Sequence, residues 1–383
     1  IGLLTKQEMN DLHTELNVIL EVVKSGKFVI EEGVEDVHSQ VELMLTRKLG
    51  DVGKKVHSGR SRNDQVLVDL KLYIRKEQKQ VAEEVKNLFE LLQNLSEKYK
   101  DSLMPGYTHL QVAMPSSFGL WFGCYAESLV DDLQLLLAAY KINNQNPLGS
   151  AAGYGSSFPL NRTMTTELLG FESMNYNVMY AQMGRGKTEK ITLYALASIG
   201  ATLSKLSNEM CLFLSQNFGF VSFPENLTTG SSIMPHKKNP DVFELIRSKC
   251  NKLQALSTEV SFITTNLPFG YNRDLQLIKE IIIPAFSEIV ACLQLTQIML
   301  SNISIKDSII DDEKYKYIFS VEVVNKLVLE GVPFRDAYKK VGIDINNGIF
   351  NPLKTVNHTH EGSIGNLCTN EIKRNFSRIF LQF

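Results

Sequence analysis

The sequence predicts an all-α chain organised around a bundle of long helices. Three observations carry this. Residues 60–104 run for 45 positions without a Gly or Pro. Within them Val81, Val85, Leu88, Leu92, Leu95 and Tyr99 alternate steps of four and three, the 3.5-residue repeat of a helix packed along its length against others. Four more long helical stretches follow, and no run of residues reads convincingly as a set of strands.

The chain is expected in three parts: a small N-terminal helical domain at 1–59, a central long-helix bundle at 60–303 and a small C-terminal helical domain at 304–383. In the first, Thr5-Lys6-Gln7-Glu8 matches a capping box, and Leu12, Leu16, Ile19, Leu20 and Val23 follow at helical spacing. Ser25-Gly26 stops that helix. A second carries Val37, Val41, Leu45 and Leu49 and ends at Gly50. Pro105-Gly106 is read as the stop of the first long helix. The second long helix is expected from about 115 to 143, and a Gly/Ser/Pro-rich loop at 144–161. The others are expected at 187–217, from Asn239 to 267, and at 275–302 with a kink at Pro284. Beyond 304, Phe319, Val323, Val324, Leu327 and Val328 share a helical face, 335–341 forms another short helix, and the tail from Gly342 is expected to be weakly structured.

The chain has 383 residues, enough for a large core. Its 44% hydrophobic and 21% charged residues are those of a soluble globular protein. A net charge of -2 gives no general attraction to nucleic acid or to an anionic membrane. Five scattered cysteines without CxxC spacing suggest reduced, buried thiols and a cytoplasmic location. No signal peptide is visible and no apolar run is expected to span a membrane. The sequence opens at Ile1 rather than Met, so an N-terminal piece is expected to precede it.

Four polar blocks interrupt the helical pattern, each at an expected helix end, where backbone groups are free to meet ligands. The strongest is Thr228-Thr-Gly-Ser-Ser-Ile-Met-Pro-His-Lys-Lys-Asn-Pro-Asp241. Gly230 permits a mobile loop, Ser231 and Ser232 supply hydroxyls, and His236, Lys237 and Lys238 gather cations. Asn239-Pro240-Asp241 reads as a helix start with Asn239 as N-cap. Together these favour a negatively charged ligand. In His57-Ser-Gly-Arg-Ser-Arg-Asn-Asp-Gln65, Arg62 and Asn63 suit carboxylate recognition. Gly106-Tyr-Thr-His-Leu-Gln111 offers Thr108 and His109 in a turn, the latter as a general acid or base. In Leu267-Pro-Phe-Gly-Tyr-Asn-Arg-Asp-Leu-Gln276, Tyr271 and Gln276, with Lys279 beyond, line one side of a candidate pocket.

These four blocks, in this order, resemble the conserved regions of the argininosuccinate lyase family within the fumarase/aspartase superfamily, and the similarity extends over most of the chain. The resemblance implies reversible β-elimination of argininosuccinate to arginine and fumarate, a step of arginine biosynthesis, with no cofactor and no metal. It makes Ser231 the catalytic base. Lys237 and Asn239 hold the carboxylate and stabilise its aci form. His109 contacts the substrate or a water and is oriented by Glu244. Arg62, Asn63 and Thr108 bind substrate polar groups, and Tyr271, Gln276 and Lys279 grip the arginine end. It also implies a homotetramer with a central multi-helix core and active sites shared between subunits.

Two departures stand out. The family usually carries Gln where this chain has His236. It more often shows Ser-Asp-Arg-Asp-Phe where this chain has Met183-Gly-Arg-Gly-Lys187, keeping Arg185 but replacing its acidic neighbours by glycines. A family segment with a substrate-binding Ser and Asp is expected before Ile1. The alternatives are adenylosuccinate lyase or another fumarate-releasing lyase, and a catalytically inactive crystallin-type homologue. The first needs a phosphate and purine site, for which no additional Arg/Ser cluster is visible. The second is disfavoured because His109 and Ser231 are both present. His358-Thr-His360 has a spacing that suits neither face of a helix, and is read as a structural tail.

Overall fold

A computed structural model of the chain describes residues 2–383. Its order is α1 (Lys6–Lys24), α2 (Val37–Leu49), α3 (Asp51–Lys54), α4 (Arg62–Lys98), β1 (Leu103–Thr108), β2 (Gln111–Ser117) and α5 (Phe118–Asn143). Then come β3 (Gln145–Asn146), α6 (Arg162–Leu168), β4 (Ser173–Met174), α7 (Val178–Met183), α8 (Lys187–Leu214), β5 (Val221–Ser222), α9 (Asp241–Thr264) and α10 (Leu277–Ser301). The last are β6 (Ser304–Ile305), α11 (Ser320–Leu329), α12 (Phe334–Asn346) and α13 (Thr369–Phe380). The five long helices α4, α5, α8, α9 and α10 make this an all-α chain. Its strands are short and only paired, the most extended pair being β1 antiparallel to β2.

Two compact units are formed. One comprises Ile1–Glu77, Ala139–Ile191 and Thr258–Ile281; the other comprises Gln78–Ala138, Thr192–Ser257 and Ile282–Phe383. In the first, the capping box at Thr5 and Glu8 starts α1. Leu12 and Ile19 then pack with Leu45 of α2, and Phe28, Val41 and Met44 flank them. In the second, Val81, Val85, Leu88, Leu92 and Leu95 are buried, so the 3.5-residue stripe is core. Between α5 and α8, buried Asp132 accepts hydrogen bonds from Ser198 Oγ at 2.5 Å and Thr202 Oγ1 at 2.7 Å, and burial raises its pKa. Val324 of α11 packs with Ala337 and Val341 of α12 and with Phe350.

Several expectations need correction. α4 ends at Lys98, and Pro105-Gly106 lies inside β1, where the register shifts between Pro105 and Tyr107. Pro105 is tolerated there because a two-stranded pair has only edge strands. The tail after Gly342 is not loose: α12 continues to Asn346, and α13 buries Ile372, Phe376 and Ile379 at one face. Phe376 stacks on Phe89 of α4 with ring centroids 3.9 Å apart. Of the five free cysteines, Cys250 and Cys292 are buried, but Cys124 is exposed. Residues 273–301 have the length, and a mean hydropathy of 1.6, sufficient for a membrane span. Buried Ile282, Phe286, Ile289 and Leu293 instead give this helix a core-facing stripe.

Candidate active site

The catalytic candidates lie in the second unit. Ser231 sits in the loop between β5 and α9. Its Oγ accepts hydrogen bonds from Ile233 N at 3.3 Å and Met234 N at 3.1 Å. Two backbone donors on one hydroxyl oxygen are the arrangement that favours its alkoxide. The loop is pinned at its base by Asn239 N donating to Thr229 O at 2.8 Å. Asn239 does not cap α9, as the sequence suggested. Its side-chain amide donates back across the loop to Gly230 O at 3.3 Å, and Pro240 O accepts the first helical bond, from Glu244 N at 3.1 Å. Lys237 is exposed, whereas its neighbour Lys238 pairs with Glu225 at 3.1 Å. The serine, a lysine and the helix N-terminus are thus carried on one short segment.

His109 and Thr108 are on the β1–β2 hairpin, not at a helix end. Thr108 pairs with Gln111, so His109 and Leu110 form a two-residue turn with φ of 54° and 59°. Positive φ at both central residues is the type I′ geometry, which Asn-Gly adopts at least cost. His-Leu there is strained, and Leu110 is 82% exposed. Strain of this kind is retained where it displays a side chain for use. Among the described residues no hydrogen bond joins His109 to Glu244, Ser231 or Lys237. Glu244 stands exposed in the first turn of α9.

The remaining binding candidates, Arg62, Asn63, Tyr271, Gln276 and Lys279, lie in the first unit. Arg62 is engaged within the chain: Nε meets Asp36 at 2.7 Å, and its other nitrogens donate to Gln65 at 2.7 Å and Ser39 at 3.0 Å. Asn63 is beside it at the start of α4, with its amide N–H on Ser61 Oγ at 3.3 Å. The block is shaped by Asp64, which is fully buried. It accepts from Ser61 N at 2.9 Å, Gly149 N at 3.0 Å and Ala151 N at 2.9 Å. The sequence reading gave Asp64 no role, although Ser61-x-x-Asp64 is itself a helix-start signature. In the fourth block the Gln276 amide donates to the Tyr271 hydroxyl. Buried Arg185 lies 5.4 Å from the Tyr271 ring centroid and donates to Leu275 O at 3.3 Å. Lys279 follows in α10, half-buried.

Among the described residues, no group of three or more His, Cys, Asp or Glu is placed to hold a metal. His358 instead bonds Glu322 at 3.0 Å.

A family profile described as Lyase matches residues 1–255. An argininosuccinate lyase of Bacteroides thetaiotaomicron is 66% identical over 97% of this chain and 83% of its own length. One from Stenotrophomonas maltophilia is 40% identical over 88% of this chain and 78% of its own. Among solved structures, EDDS lyase in complex with formate superposes with a TM-score of 0.82 at 20% identity, over 100% of this chain and 82% of that one. A fumarate lyase:delta crystallin from Brucella melitensis bound to cobalt gives 0.74 at 18%, over 99% and 86%. The distant structures share the fold. The close relatives extend through the hairpin, the serine loop and the Tyr271 segment, and with them the chain belongs to the argininosuccinate lyase family of the fumarase/aspartase superfamily.

Proposed function

We propose that this protein is a carbon–nitrogen lyase that cleaves argininosuccinate reversibly to arginine and fumarate. The observation that carries this is the 66% identity over 97% of the chain to an argininosuccinate lyase, with the serine loop, hairpin and Tyr271 segment all present.

Ser231, as alkoxide, takes the proton from the succinyl carbon next to a carboxylate, the neighbour of the carbon that carries the departing nitrogen. Serine is a weak base, and the two N–H groups of Ile233 and Met234 on its Oγ offset this, with Lys237 adding charge. The electron pair released moves into the neighbouring carboxylate, whose aci form Lys237 and Asn239 stabilise. It then forms the fumarate double bond as the C–N bond breaks, and the nitrogen leaves with a proton. We assign that proton to His109, oriented by Glu244. Asn63 and Thr108 hold substrate polar groups. Arg62, tied to Asp36, contributes its charge and fixes the start of α4. Tyr271, Gln276 and Lys279 hold the arginine end.

The assembly we propose is a cytoplasmic homotetramer with active sites shared between subunits and a small-molecule substrate, the chain being read as 1–59, 60–303 and 304–383. Two facts support it. His109, Lys237 and Glu244 are exposed and Ser231 is half-buried, and among the described residues no hydrogen bond joins His109 to the other three within one chain. The long helices also leave Tyr194, Leu245, Phe262, Ile283 and Ile298 exposed, apolar faces that subunit packing would cover.

Ultraviolet absorbance of fumarate tests the reaction, with argininosuccinate and adenylosuccinate supplied in parallel. Fumarate from argininosuccinate is expected. Release from adenylosuccinate alone, or from neither, overturns the reading.

A further inference from the structure

One motif is left unused by the elimination chemistry, Met183-Gly-Arg-Gly-Lys187. It lines a cleft of about 590 Å³ in the first unit, together with Lys190, Ile191 and the 264–275 segment. That volume is in the range of small-molecule sites. The lining holds three cations, Arg185, Lys187 and Lys190, and no carboxylate. Among the described residues none of the three makes an ion pair. Lys187 and Lys190 also stand in the first turn of α8, a helix of 28 residues, at its positive end. Cations are disfavoured there and anions favoured.

A second, independent observation concerns Arg185. It is 6% exposed, and among the described residues its Nε has no hydrogen-bond partner. A buried, unsatisfied guanidinium nitrogen in the wall of a cleft is costly unless a ligand meets the group. Glu189, a nearby carboxylate, accepts from Gly186 N at 2.7 Å and acts on Arg185 through its charge without forming an ion pair among the described residues, and burial raises its pKa. Gly186, at φ +82°, brings the backbone close; a Cβ there would lie 2.6 Å from Thr264 Cγ2. On the other wall, Phe269 is 67% exposed.

We propose that this cleft binds a phosphate-bearing small molecule carrying two or more negative charges. A single carboxylate would leave two of the three cations uncompensated, whereas a diphosphate meets two lysine point charges and an arginine fork at once. Phe269 offers a planar body a surface to stack on. The cleft joins segments about 80 residues apart, so no compact cluster announces it in the sequence.

The test is calorimetric titration of the full chain with inorganic pyrophosphate and, separately, ADP, against sodium chloride at matched ionic strength. The double variant Lys187→Gln/Lys190→Gln keeps side-chain length, and an unchanged ligand-free melting temperature is its fold control. The expected result is binding to the native chain that weakens at least tenfold in the variant. Tighter binding of ADP than of pyrophosphate supports the site with Phe269 as its base-stacking wall. No binding of either probe, or equal binding in the variant, overturns the proposal. The readout needs no turnover, so it stands or falls apart from the lyase reading.

Discussion

Ser231 and Lys71 show how differently two polar side chains serve this chain. Ser231 lies in a loop on the surface, and its Oγ is held by two backbone N–H groups. Ser231→Ala removes the proposed base without opening a cavity. It should lower kcat for argininosuccinate by about a thousandfold and change unfolding free energy by less than about 0.5 kcal/mol. A variant with near-native kcat would sink the assignment. Lys71 is 3% exposed, with Nζ 3.5 Å from Asn143 O, and burial lowers its pKa from 10.5 to about 8. Its folded value lies below its unfolded value, so the cost of charging it in the core is fully present below pH 8. That cost is relieved as pH rises from 8 towards 10.5. In Lys71→Met this titration is gone. Relative to the variant, the native chain should therefore gain about 2–3 kcal/mol in urea unfolding between those limits. A stability difference that stays flat with pH would overturn this. Residue identity alone could not reveal Lys71 or Arg185, because helical spacing says which face a side chain takes but not how deep that face lies. Ser231 was legible because its neighbours are informative together.

At the scale of elements, the β1–β2 hairpin is where sequence reading failed and where the structure says most. A Pro-Gly pair after a long helical stripe reads as a helix stop. The true turn, His109-Leu110, has none of the glycine or asparagine that marks a type I′ turn. The long helices were legible because hydrophobic spacing over five or more turns leaves little ambiguity. Short α6 and α7 and the two-residue strands offer no such length. α13 was hidden behind a Gly/Asn-rich approach, although its apolar residues are regularly spaced. The hairpin makes its own prediction. Leu110 contributes strain at φ 59° and little packing at 82% exposure. Leu110→Gly should raise unfolding free energy by about 1 kcal/mol. It should also lower turnover, because a relaxed turn no longer fixes His109. Thermal melting with kcat on the same sample checks both. A stabilised variant with full activity would show that the strain does not serve the site.

For the whole molecule, the question is whether one chain contains a complete site. Within one protomer, no hydrogen bond joins His109 to Ser231, Lys237 or Glu244 among the described residues, although all four are polar and placed on loops or helix starts. A shared site answers this, and mixing inactive subunits tests it directly. Take Ser231→Ala and His109→Asn chains, each inactive alone, and reassemble them in equal amounts after mild dissociation. If a site draws its serine and its histidine from different subunits, one pairing in four joins a native serine to a native histidine. Activity should then return to about one quarter of the native level. If both groups come from the same chain, every site keeps one defect and mixing restores nothing. Sedimentation of the mixture must show reassembled tetramer for either result to count. Recovery near a quarter would also fix the number of inactive combinations per site, because a site needing both groups in one chain has no route to that value.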